Sequence, residues 1–540
     1  GLGVSPERSR EAADRRESSG EDAQATKPQA TVYIQAPWPA ADVIIGNPPF
    51  LGAKRLKPER GADYVNAVRK LYPEVPGMAD YCVYWIRRSH DHLPDCTRAD
   101  PFAGRAGLVG TQNIRNNQSR VGGLDHVAAT GTIVEAVDNQ PWSGEANVHV
   151  SIANWIKSQD AAVVPKVKRL WTKVPVAAGS RGRRSKDKRA DNTYELKDRE
   201  TDEISASLSD SEDVTGALQI QANQKPKRVF QGNTPGHDGF VLSADETGVL
   251  LKKDDLSKEV VRPYLIGREL LSGDGLPDRF IIDFAQRDQM EAGTFSAAFA
   301  HVQANVLPDI RSKAEAEKGA DRSRRAQLER WWMHWRSRAD RAEAAAKLRG
   351  RYIVCSRVTK RPIFVFVSTD ILPGDALQTF TFDDDYSFGQ LQSSLHFLWF
   401  VTNCSKLKSD FRYTPESVFD TFPWPQSPTK AQIDAVASTG REVRRVRAEA
   451  LAVIDGGLRA VYRTLELPGK HPLKETHAAL DAAVLDAYGF SPKQDLLAQL
   501  LELNHAVAAR EKRGEPVTAP GVPPGYPEPA QLVTSDCIRP

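Results

Sequence analysis

The stretch Ala41–Phe50, ADVIIGNPPF, decides how the amino-terminal part of this chain is read. Val43, Ile44 and Ile45 make an apolar run of the length of a short buried strand, and Gly46-Asn47-Pro48-Pro49 ends it in a turn. Proline fixes φ and biases the residue before it to extended geometry, so a rigid strand-to-loop turn is one sufficient account of these residues. A second account is chemical. Open α/β sheets bind ligands at the carboxyl ends of their strands. A rigid loop at such a place, carrying one amide and one aromatic ring, suits a planar base with an exocyclic amine. That amine is a poor nucleophile because its lone pair is delocalised into the ring. The Asn47 side-chain oxygen and the Pro48 carbonyl can both accept its protons, and proline brings no competing N–H. Accepting both protons drives the nitrogen toward tetrahedral geometry and frees its lone pair, while Phe50 offers a face for stacking.

Around this stretch the pattern is strand, helix, strand, helix, then a strand pair. MADYCVYWIRRSHDHL (78–93) has Tyr81, Tyr84, Trp85 and Leu93 at helical spacing, and GRAGLVGTQNI (104–114) reads as a turn into a strand. GGLDHVAATG (122–131) reads as a helix with a glycine stop. GTIVEAVDNQPW and NVHVSIANWIK read as strands about a loop at residues 139–146. The expectation is half of an α/β sheet with an antiparallel end.

GNPPF after an apolar strand resembles motif IV of the amino-methylating DNA methyltransferases, particularly the adenine-specific class. DYCVYWIRR resembles the helix that follows motif IV, GRAGLVGTQNIR the next strand and loop, and TIVEAVDNQPWSGEANVHVSIANWIK the later strand pair. SFGQLQSSLHFLWF (387–400), RYTPESVFDTFPWP (412–425) and the helical text beyond are similar to the large fused methyltransferases of restriction-modification and phage-defence systems. The resemblance covers about residues 40–510.

It implies an α/β fold: a partial Rossmann-like methyltransferase domain, an α+β target-recognition domain and a helical carboxyl-terminal region. It implies methyl transfer from S-adenosylmethionine to a flipped adenine in double-stranded DNA, since a base buried in the stack is out of reach. Asn47, Pro48, Pro49 and Phe50 take the catalytic positions, Phe50 and Trp142 the base-stacking ones, and Asp42 and Trp85 the cofactor-binding ones. The transfer is direct, so neither a catalytic cysteine nor a metal is implied, and the motif IV loop carries no thiolate for cytosine C5 chemistry. A Gly-rich cofactor loop is expected upstream of motif IV. About forty polar residues precede Asp42, and the glycines of GRAGLVG lie in a turn and a strand. The expectation is a fragment, or a split enzyme whose cofactor-binding half is a separate chain. The alternative is a catalytically silent DNA-binding specificity module. A third reading takes protein glutamine or RNA as substrate, because related NPP motifs act on both.

Expected regions are a disordered tail (1–30), the carboxyl-terminal half of the catalytic domain (31–176), a charged linker (177–228), the recognition domain (229–429), a helical region (430–512) and a Pro-rich tail (513–540). The linker holds a basic block, RGRRSKDKR, and an acidic, Ser-rich one. The 540 residues carry 73 Lys+Arg against 70 Asp+Glu, a balance of +3 that does not announce nucleic acid. Averaging conceals a basic window: residues 301–362 hold 16 Lys/Arg against 7 Asp/Glu. Within a helical block at 310–349, Arg322, Arg324, Arg325, Arg330, Arg336 and Arg338 are the candidate DNA contacts. Trp332 and Trp335 are expected mostly in the core, His149 in a structural role, and Asp383-Asp384-Asp385 in a solvated loop. No apolar run is long enough to span a membrane. Five scattered cysteines without a CxxC fit a reducing, cytoplasmic setting.

Overall fold

A computed structural model describes residues 4–7, 32–142, 148–175, 194–210, 216–273, 275–317, 323–407, 410–466 and 469–540. The chain divides into two compact units, Gly1–Asp213 and Val214–Pro540. Both mix strands and helices. No helix among the described residues is long and apolar enough to cross a membrane.

In the first unit, strand β1 (Val4–Glu7) pairs antiparallel with β2 (Val32–Gln35). This corrects the expectation of an unstructured tail at its start, because ladder pairing uses backbone groups and needs no apolar side chains. Most of the expected tail, residues 8–31, lies outside the described residues. Next come β3 (Val43–Gly46), a crossover through α1 (Ala53–Arg60), α2 (Ala62–Leu71) and α3 (Val83–His92), and β4 (Arg105–Thr111), parallel to β3. After α4 (Asn117–Gly122) and α5 (Leu124–Thr130) come β5 (Thr132–Pro141), β6 (His149–Ile156), β7 (Lys168–Pro175) and β8 (Tyr194–Thr201). The six-stranded order is β3-β4-β6-β5-β7-β8, with β6 antiparallel to both neighbours.

Gly104 enters β4 at φ +71, where a Cβ would meet the Cys96 nitrogen at 2.7 Å, so glycine is required at this turn. The core gathers Leu56, Val65, Val68, Ile86, Leu108, Ile114, Val127 and Trp155. Burying each large aliphatic side chain stabilises by about 1.5–3 kcal/mol.

The strand of the opening motif departs from expectation. β3 lies at the sheet edge, so only Ile44 packs on the core, while Val43 is 49% and Ile45 85% exposed. Alternation puts these two on the face opposite Ile44. The charged linker is also corrected. Tyr194–Thr201, YELKDRET, pairs along all eight residues with β7, and Ile204, Ala206 and Leu208 are core residues. An edge strand needs little apolar surface, which is why its composition read as linker. The basic block 181–189 lies outside the described residues.

The second unit holds a four-stranded antiparallel sheet in the order 365–368, 351–356, 377–380, 229–231. A second sheet runs 241–243, 279–282, 261–265, 372–373, and a small three-stranded one joins 358–359, 410–412 and 405–407. One core contains the first sheet, the helices at 385–392 and 394–403, and the helices at 430–453, 457–463, 472–488 and 496–512. Phe422 and Trp424 of the FPWP segment are buried in it. Part of the segment expected as recognition domain therefore shares one interior with the helical region and the tail, while its residues between Phe240 and Trp332 largely build a separate core with the second sheet. The Pro-rich end is no free tail: Tyr526 and Leu532 are buried, and Ile538 bonds through its backbone to Phe366 and Ser368.

Two further corrections concern polar segments. The block 310–349 is not one helix; helices at 307–315, 323–328 and 339–345 flank an irregular stretch. There the Trp332 Nε1–H donates to the Arg287 carbonyl at 3.1 Å, and buried His334 pairs with the Ile282 carbonyl at 2.8 Å. These long-range bonds satisfy polar groups that a helix would have left facing the core. Trp331 and Trp332 are buried, but Trp335 is 37% exposed beneath the Arg324 guanidinium at 5.3 Å. Asp384 and Asp385 are buried rather than solvated.

Asp384 caps the 385–392 helix, accepting from the Ser387 N–H at 2.7 Å and the Ser387 hydroxyl at 2.8 Å. Burial pushes its carboxyl up to about 6 in spite of those bonds. Between about pH 4, where an unfolded aspartate ionises, and about pH 6, the folded state holds a proton that the unfolded state has lost. The contribution of Asp384 to stability is thus full below pH 4 and lost as pH rises to 6. Asp384→Asn should flatten that limb of the melting-temperature profile; an unchanged pH profile would refute the assignment.

Candidate nucleotide-base site and basic surfaces

β3 and β4 are parallel, so Asn47 and Thr111 lie at the same, carboxyl, end of the sheet. Asn47 is exposed, and among the described residues its side chain makes no hydrogen bond and the Pro48 carbonyl accepts none. The Asn47 side chain is thus available to a ligand. Pro48 itself is buried, Pro49 exposed and Phe50 half-buried. The ring of Phe50 meets Trp142 edge to face, with centroids 5.3 Å apart. The two aromatics assigned to base stacking, 92 positions apart in sequence, therefore touch. The Trp142 backbone N–H donates to the Val148 carbonyl at 2.9 Å, just beyond the ends of β5 and β6.

A buried carboxylate supports the loop. Asp80 accepts from the Thr111 hydroxyl at 2.6 Å and the Asn113 amide at 2.9 Å, and its own N–H donates to Ser119 at 2.9 Å. The next N–H, of Tyr81, donates to the Leu51 carbonyl at 2.9 Å, and a Cβ on Gly52 would lie 3.7 Å from Asp80 Oδ1. Asp80 thereby ties the NPPF loop to the end of β4. The sequence reading missed it; its signal was an acidic residue set directly before the aromatic helix.

Of the two residues assigned to a cofactor, Asp42 does not join this group. Asp42 sits at the amino end of β3, roughly 16 Å of strand from Asn47 at about 3.3 Å per residue. Trp85 packs edge to face on Tyr81 at 4.7 Å and borders the core. His149 Nδ1 pairs with Asn139 Oδ1 at 3.0 Å; burial and then the nearby Lys173 lower its basicity. Arg115 is buried, 3.7 Å from Asp138, and burial lowers its basicity. Among the described residues no group of three or more metal-ligating side chains is assembled.

In the second unit Arg324, Arg325, Arg330 and Arg336 are exposed and Arg338 is half-buried; Arg322 lies outside the described residues. Arg338 Nη2 donates to Gln231 Oε1 at 2.8 Å.

Residues 218–426 match the family model described as the MmeI target recognition domain. The fold is similar to that of the Type IIL restriction-modification enzyme MmeI in complex with DNA, with a TM-score of 0.65 at 18% identity, covering 86% of this chain. The chain spans 57% of the length of that structure. A DrdV–DNA complex (TM-score 0.33, 12% identity, 89% of this chain and 57% of the other) and the type IIG restriction endonuclease BpuSI (0.28, 10%, 83% and 54%) also align, too loosely to bear on the fold. No curated protein matches the sequence.

Proposed function

We propose that this chain is the base-holding and DNA-recognition part of a restriction-modification methyltransferase acting on the exocyclic amine of a flipped adenine. The observation that carries this reading is the pair of acceptors without a partner among the described residues, Asn47 Oδ1 and the Pro48 carbonyl, beside the Phe50 and Trp142 rings at the carboxyl end of a parallel strand. An extruded base stacks on Phe50, with Trp142 swung aside from its present edge contact. Its amine donates both protons to the two acceptors, and the lone pair becomes available for attack. S-adenosylmethionine supplies the methyl group in such enzymes. The edge position of β3 and the uncovered face of Val43 and Ile45 fit further elements that extend the sheet, cover that face and hold the cofactor. They come from additional sequence or from a partner chain. The match over residues 218–426 supports duplex DNA as the substrate.

A second reading, a silent specificity module, is favoured by the match of residues 218–426 to a target recognition domain. One experiment separates the two. The purified chain with labelled S-adenosylmethionine should not methylate DNA, and addition of a cofactor-binding half should restore transfer to adenine. Turnover by the chain alone would refute the split assignment. Duplex binding without transfer in the completed system would establish the silent module.

A further inference from the structure

A cluster of guanidinium groups forms at one end of the central sheet of the second unit, from segments distant in sequence. Arg357 follows the 351–356 strand directly. Its N–H donates to the Ala376 carbonyl and its carbonyl accepts from the Tyr413 N–H, both at 2.8 Å. Arg412 is the register partner of Val358, the next residue along. Arg338 holds a left-handed backbone at φ +54 and reaches Gln231, whose amide donates to the Asp375 carbonyl at 3.1 Å. Arg336 bridges Thr234 through its backbone.

Among the described residues, Arg336, Arg338 and Arg357 are not matched by ion pairs. Burial lowers the basicity of both Arg338 and Arg357, and the next cause is a neighbouring arginine, Arg336 for the first and Arg412 for the second. Asp375 is the carboxylate common to both, Glu416 also acts on Arg357, and Asp340, which acts on Arg338, is already paired with Lys227 at 3.0 Å. Among the described residues no carboxylate forms an ion pair with Arg336, Arg338 or Arg357. The Nε atoms of Arg338 and Arg357 are buried without a hydrogen-bond partner.

An unpaired buried donor favours a ligand acceptor, and guanidiniums crowded together favour one with a formal negative charge. A base edge supplies acceptors but leaves the repulsion in place. A phosphodiester supplies both. We infer that Arg336, Arg338, Arg357 and Arg412 form a phosphodiester-binding subsite that seats the DNA backbone on the recognition domain. This rests on the recognition reading above and deepens it, since Arg357 and Arg412 were not among the sequence candidates.

The test is fluorescence anisotropy of the full chain with a short labelled duplex of arbitrary sequence, titrated between about 50 and 200 mM salt. Arg357→Gln and Arg412→Gln should each weaken binding alike on unrelated sequences. Each should also reduce the salt slope by about one. Arg336→Gln, at an exposed position, should do the same and guards against misfolding of the half-buried variants, which melting temperature monitors. Arg445→Gln, on an exposed helix face paired with Glu442 and Glu449, is the control. Unchanged slopes in folded variants would overturn the subsite, as would a loss confined to one target sequence, which signals base reading. If the unaltered chain bound no duplex, the proposed function would fail and the subsite with it.

Discussion

Asn47→Ala should reduce methyl transfer by about 100-fold or more in the system completed with a cofactor-binding half, by analogy with removal of one preorganised polar group from a transition state. The side chain lies at the end of a short strand, exposed and without a partner among the described residues, so its removal costs the fold little. Only the amine loses a contact. With the Pro48 carbonyl alone accepting, one proton is held, the nitrogen stays closer to planar, and its lone pair remains in the ring. Duplex binding should be unaffected, because that is assigned to the second unit. Asn47→Asp keeps an acceptor oxygen and should retain more activity than alanine. Quantitative methylation assays on the wild type and both variants check this ordering. Wild-type rates in Asn47→Ala would remove the chemical reading of the loop and leave only the turn. Before any base enters, the Phe50–Trp142 edge contact must open, at a cost of about 0.5–1.5 kcal/mol.

Asp385→Ala should destabilise the second unit by about 3–5 kcal/mol, the range for breaking a buried ion pair from one side. Asp385 is fully buried and meets Arg351 at 2.8 Å, Arg444 at 2.7 Å and Arg441 at 3.1 Å. Arg351 and Arg444 are buried too, and both also reach Asp536, at 3.1 and 2.7 Å. Arg351 lies over the Phe366 ring at 3.7 Å. One carboxylate thus joins a strand, two helices and the carboxyl-terminal segment. Its loss strands two buried cations with a single, half-exposed aspartate between them. Asp536 itself is raised by burial but lowered further by Arg444, to about 2. Its folded value lies below the unfolded one, so its contribution is present above about pH 4 and lost as pH falls toward 2. Urea unfolding of the full chain measures the first effect. A change no larger than an ordinary surface substitution, about 0.5 kcal/mol, would show the network to be energetically idle.

The local chemistry of the opening motif was readable because it is written in consecutive residues. A strand, a glycine, an amide and two prolines constrain geometry and hydrogen-bond capacity before any folding is considered. Trp142 was placed by resemblance, and the structure sets it against Phe50. The helices of the 430–512 region were readable from their periodicity. Other features were not. YELKDRET looks like linker because an edge strand is held by backbone bonds that composition does not record. The triple aspartate looks solvated because nothing nearby in sequence reveals the arginines that neutralise Asp385. The break in the 310–349 block depends on the Ile282 and Arg287 carbonyls, which are distant in sequence.

By itself, then, the sequence determined a rigid NPPF turn that carries an amide and an aromatic ring, and a hidden excess of basic residues. The tertiary structure alone decided which groups meet. It brought Trp142 to Phe50 and Asp80 behind the loop, left Asp42 at the far end of its strand, and drew Arg357 and Arg412 to Arg338. The reason is physical: turn geometry and periodicity are local, whereas charge neutralisation, ring contact and strand pairing are made between segments whose separation along the chain carries no signal of their proximity.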